Sequence, residues 1–172
     1  MNDSLVKSLS DSSVVHDSEL IAGFFSPLGF AGFILLLVLF NHALFSEMVI
    51  WMHDYHMYPL LDKGKALKAR LVGYVCILTM VAGHLTEIVI WATALVVTGL
   101  IPSMSTALYY SGSTYTTLGY GRDPMADGRN AITVIIALSG MMTIAVTTSI
   151  LMAQFSRYHE SRRNARSKAS AP

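Results

Sequence analysis

Charge is scarce in this sequence. Asp, Glu, Lys and Arg make up only 13% of its 172 residues, against ~25% in a soluble domain, while 53% are hydrophobic. The mean hydropathy is +0.50. This deficit makes lipid the expected solvent for most of the chain, and the length allows one domain. The charges that remain nearly cancel, with 12 Lys and Arg against 11 Asp and Glu. That balance excludes the basic face of a nucleic-acid binder. Cysteine is almost missing too. Cys76 stands alone inside an apolar run, which excludes an intrachain disulfide and a cysteine metal cluster and leaves a small apolar core residue. No apolar span is rich in arginine, so voltage sensing of that type is excluded. There is no internal repeat. No nucleophile–base pair, phosphate loop or cofactor motif is present, so no enzyme activity and no cofactor are expected.

The first 20 residues hold Asp3, Asp11, Asp17 and Glu19 against a lone Lys7 and lack the basic start of a cleavable signal. Residues 1–27 read as a polar tail. The apolar runs follow. Residues 28–51 predict a retained first membrane helix, since at about 1.5 Å per residue they can cross a ~30 Å hydrocarbon core. Residues 52–70 read as a loop or interfacial segment around Pro59, and His53-Asp54-Tyr55-His56 within it as a membrane-surface anchor with donors of zinc-binding type. Residues 71–101 predict a second membrane helix, stopped by Pro102. A short helix is expected over 105–115, with Ser103 or Ser105 as its N-cap. Residues 131–155 predict the third membrane helix, and 157–172 a frayed basic tail. Nine of the 12 Lys and Arg residues are Lys63, Lys65, Lys68 and Arg70 before the second span and Arg157, Arg162, Arg163, Arg166 and Lys168 after the third. Positive residues favour the cytoplasmic side, so the N-terminus and the 102–130 region are expected outside and the C-terminus in the cytoplasm of a multi-pass inner-membrane protein beside anionic lipid.

Thr116-Thr117-Leu118-Gly119-Tyr120-Gly121 lies between the second and third spans, after the run Tyr109-Tyr110-Ser111-Gly112-Ser113-Thr114-Tyr115. Glycines adopt positive φ at no steric cost, so such a stretch can turn successive carbonyls to one side. Thr117 to Gly121 resembles the TVGYG filter of potassium channels, with Leu118 in place of valine, and the threonine-rich approach and paired tyrosines are similar as well. The segment is too short to span twice as helix. Non-helical backbone at membrane depth needs burial in protein or a water-filled cavity. A re-entrant helix and loop is therefore expected, the alternative being an extracellular glycine turn.

The resemblance implies an all-α membrane protein with a two-helix pore domain over 71–155 and one extra N-terminal helix, assembled as a homotetramer because one chain supplies one filter strand. It implies K+ as the permeant ion, held by Thr117, Leu118, Gly119 and Tyr120, with Gly121 closing the filter. The partners are then K+, membrane lipid and further copies of the chain. One position departs from the family pattern: Arg122 follows the last filter glycine where the family usually has aspartate, with Asp123 beside it to neutralise it. A poorly selective cation pore and a non-conducting assembly subunit are the competing readings.

Three further features stand out. Gly140, near the middle of the third span, resembles a gating hinge or else permits close helix packing. Thr147 and Thr148 either face an aqueous cavity or bond to their own helix backbone. His84 and Glu87 share one face of the second span, where ionisable side chains are costly against lipid. With His42 and Glu47 of the first span they read as a helix clamp, a pH-sensing pair or a His/Glu metal site.

Overall fold

The computed structural model describes residues 27–119 and 130–169. Among them the protein is entirely helical. Helix α1 (Pro27–Met52) continues through one wide π-helical turn (His53–Met57) into α2 (Tyr58–Asp62). After a tight turn come α3 (Ala66–Val97), the short α4 (Met104–Tyr115) and α5 (Asn130–Ala169). Three helical stretches, Leu28–Asp62, Ala66–Val97 and Ala131–Asn164, are long and apolar enough to cross a membrane. Leu36 and Phe40 on α1, Leu71, Leu78 and Leu85 on α3, and Met142, Met152 and Phe155 on α5 are exposed. Such a surface belongs to a multi-pass membrane protein.

The helices outrun the expected bounds, and the segment 52–70 is not a loop. Pro59 lacks an N–H and would break a regular helix interior. Here it falls in the first turn of α2, directly after the π turn. A π turn is a usual way for a helix to absorb an irregularity without ending. The second span begins at Ala66 rather than 71 and ends at Val97 rather than 101. Its end is a Schellman cap: Gly99 has φ 69°, Leu100 N–H donates to Leu95 O, and Gly99 N–H donates to Val96 O. The glycine, not Pro102, stops the helix. The third helix also runs on, and residues 157–169 are helix rather than frayed tail. With 40 residues, α5 is about 60 Å long, roughly twice the hydrocarbon thickness.

The buried stripe of α1 is Ala31, Ile34, Val38, His42, Ser46, Val49 and His53. Its steps of three and four residues keep one face toward the protein. The main core joins Ala31, Ile34 and Val38 to Trp91, Leu95, Ile101, Ala107, Tyr110, Tyr115, Ile132 and Ile136, so every spanning helix and α4 contribute to it. Polar ties pin the layers where lipid offers no alternative partner. Trp91 Nε1–H donates to Ser139 Oγ (3.0 Å), Tyr110 and Thr133 share a hydroxyl bond (2.6 Å), and Tyr58 donates to Gln154 (3.0 Å).

Candidate functional site

Helix α4 begins just beyond the end of α3. Ser103 takes the N-cap position with extended backbone angles, without a side-chain cap bond. From there α4 descends between α3 and α5, and its last residue, Tyr115, meets Glu87 and Gly140. Glu87 lies ten residues before the end of α3, and Gly140 ten residues after the start of α5. Each is about 15 Å from its helix end. Helix α4 is therefore re-entrant: it folds back from the end of α3, runs about 15 Å down along α3 and α5, and stops.

The backbone then turns out of helix. Thr117 N–H donates to Thr114 O (2.9 Å), and Leu118 and Gly119 N–H both donate to Ser113 O (2.8 and 3.2 Å). Thr117 has φ 59° and Gly119 φ 64°, with Leu118 between them. A positive φ is free for glycine and strained for a β-branched threonine. Thr117 thus takes the left-handed position of a Schellman cap on α4, with the same bond pattern that ends α3 at Gly99, and Gly119 repeats the positive φ two residues on. Thr117, Leu118 and Gly119 are all exposed in the single chain. Tyr120, Gly121, Arg122 and Asp123 lie outside the described residues.

Directly behind this turn is a buried polar cluster. Glu87 is fully buried, as one face of α3 must be when it packs on α1, α4 and α5 together. Its Oε1 accepts from His42 Nδ1 at 2.9 Å, and its Oε2 accepts the Tyr115 hydroxyl. His84, one turn earlier, has Nδ1 2.7 Å from the Tyr115 hydroxyl and Nε2 3.0 Å from Thr147 Oγ1. The Tyr115 hydroxyl also meets Thr143 Oγ1 at 2.6 Å. One hydrogen assignment satisfies this set. His42 and Tyr115 donate to the Glu87 carboxylate, His84 Nδ1–H and the Thr143 hydroxyl donate to Tyr115, and Thr147 donates to His84 Nε2. All three spanning helices and α4 thus meet through side chains.

Of the residues predicted here, His42, His84 and Glu87 are brought together, their ligand atoms all within 4.8 Å. Glu47 is not; it is exposed, because five residues past His42 on a helix is the opposite face. Thr147 does not bond to its own helix backbone among the described residues. It is buried and bonded to His84, whereas Thr148 is exposed and donates to Ile144 O at 2.8 Å. Of the two roles expected for Gly140, close approach is present: a Cβ there would stand 2.8 Å from the carbonyl carbon of Tyr115 and 3.0 Å from its ring. Tyr115 and Thr143 were missed as cluster members. Nothing periodic links positions 87, 115 and 143; the only local signal was that Tyr115 abuts the filter-like motif.

Residues 83–157 match the family model described as an ion channel. The match starts four residues before Glu87 and takes in the second half of α3, all of α4, the turn and most of α5; α1 lies outside it. No curated protein and no solved structure matches the chain.

Proposed function

We propose that the ion-channel domain at 83–157 conducts potassium passively, through a filter completed by four copies of the chain. The observation that carries this reading is the alternating positive φ at Thr117 and Gly119, at the end of a re-entrant helix. The C-terminal end of α4 presents partial negative charge there, which favours a cation. Carbonyls of Thr117, Leu118, Gly119 and Tyr120 would replace part of the ion's water shell, with the Thr117 hydroxyl at the inner end. One strand per chain cannot ring an ion, hence the tetramer. Helix α5 would line the pore, α3 surround it, and α1 brace both from outside. The basic segments at 63–70 and 157–168 support an orientation with the C-terminus in the cytoplasm, in an inner membrane.

Purified protein in liposomes tests this reading. Rubidium uptake is expected to exceed sodium uptake by at least about a hundredfold, with tetramers seen by native mass measurement. Equal uptake of both ions moves the answer to a poorly selective pore. A monomer or dimer, or well-assembled protein without flux, leaves a membrane assembly subunit.

Arg122 weighs against high conductance, because four arginines at an outer mouth repel cations of every kind. Arg122→Asp is expected to raise single-channel current several-fold at low salt and little at high salt. Surface charge acts over about 10 Å at 0.1 M and further in dilute solution. Unchanged current at every salt concentration means that Asp123 already neutralises the arginine.

A further inference from the structure

We propose that His42, His84 and Glu87 form an intramembrane site for one divalent transition-metal ion of the zinc class, which ties α1 to α3 immediately behind α4. The donor set is two imidazoles and a carboxylate, with no soft sulfur ligand among them. That combination suits zinc and its neighbours, whereas potassium, magnesium and calcium prefer oxygen alone. Metal–ligand bonds of about 2.0–2.2 Å place neighbouring ligands of a tetrahedral ion roughly 3.3–3.5 Å apart. His42 Nδ1 is 2.9 Å from Glu87 Oε1 and His84 Nδ1 is 3.5 Å from Glu87 Oε2, so each imidazole faces its own oxygen of the carboxylate. One donor atom from each of the three residues lies within 4.8 Å of the others, and the set has to draw in to about 3.4 Å around an ion. The Tyr115 hydroxyl already touches both His84 and Glu87, next to the fourth position.

A ligating imidazole usually donates its other N–H to a fixed acceptor. With a metal on Nδ1 the His84 proton moves to Nε2, and Thr147 Oγ1, 3.0 Å away, becomes its acceptor in place of the donor it is in the metal-free cluster. Charge agrees as well, since a divalent ion beside the buried Glu87 carboxylate gives it a counter-charge.

Untagged protein in detergent, loaded with zinc or cobalt(II) and freed of excess by gel filtration, tests the site. One metal per chain is expected, together with a raised thermal midpoint and the visible absorption of four-coordinate cobalt. His42→Gln and Glu87→Gln should each weaken binding at least about tenfold. His53→Gln, whose ring bonds only to Val49 O on the same helix, should bind as wild type. X-ray absorption at the zinc edge of the wild-type protein should report two imidazoles plus oxygen, and this holds even where a variant fails to fold. No retained metal, a different ligand set, or undiminished binding in folded His42→Gln and Glu87→Gln overturns the site. All these readouts are independent of conduction.

Discussion

Gly140→Ala is expected to unseat α4 and to abolish assembly of a conducting protein. The added Cβ would collide with the Tyr115 carbonyl, and its next neighbours are the carbonyl carbon at 2.8 Å and the ring Cγ at 3.0 Å. A backbone carbonyl at a helix end cannot swing aside as a side-chain tip can. Overpacking typically costs ~1–3 kcal/mol, and this case belongs at the upper end or beyond. The displaced residue is Tyr115, so its bonds to Glu87, His84 and Thr143 weaken together. Assembled yield in detergent and rubidium uptake should both collapse. Gly83→Ala is the control: it also adds a methyl in a tight place, but its nearest neighbours are Cγ, Cβ and Cδ1 of the Phe45 side chain at 3.0–3.3 Å, with no backbone atom among them. Its yield should fall far less. A Gly140→Ala protein that assembles and conducts normally would remove the close approach from the account and return this glycine to a hinge role.

Glu87→Leu is the second large effect. In the metal-free protein it strands the buried His42 and the Tyr115 hydroxyl with no acceptor between them. Removing one partner of a buried pair costs about 3–5 kcal/mol, and an unsatisfied hydroxyl adds ~1–3 kcal/mol. That approaches the whole ~5–15 kcal/mol stability of a domain. The folded fraction in detergent should fall by several orders of magnitude or the protein should aggregate. Glu87→Gln keeps the shape, one acceptor and a donor that the other His42 tautomer can receive, so its yield should stay near wild type. Thermal unfolding of the two variants side by side separates these outcomes. Equal loss in both would mean that the charge of Glu87, not its hydrogen bonds, holds the cluster. No loss in either would make the cluster incidental to the fold.

The pair His84 and Glu87 shows how far one-dimensional pattern reaches. Helical spacing put both on one face of a span, and the cost of charge in lipid turned that face inward. His42 followed from the same cost on the first span. Glu47 did not, since its polarity suggested membership and only its angle around α1 excluded it. That angle depends on which stripe of α1 is buried, and α1 is apolar nearly all round. The mean pattern therefore said little, and contact with α3 and α5 decided the matter.

The sequence by itself determined the lipid solvent, three spans, a short helix before the Thr117–Gly121 motif and the region where polar side chains must meet. Those follow from hydropathy, length and local backbone chemistry, all of which are local. Tertiary structure alone decided that the 52–70 segment is mostly helix, because a π turn before Pro59 and packing on α3 outweigh a local breaker. It also decided that Tyr115 ends α4 against Gly140 and closes the His42–Glu87–His84 cluster. Residues 42, 87, 115 and 143 sit on four different helices. Only the depth to which α4 descends between α3 and α5 brings them within hydrogen-bond reach, and no periodicity within any single helix records that depth.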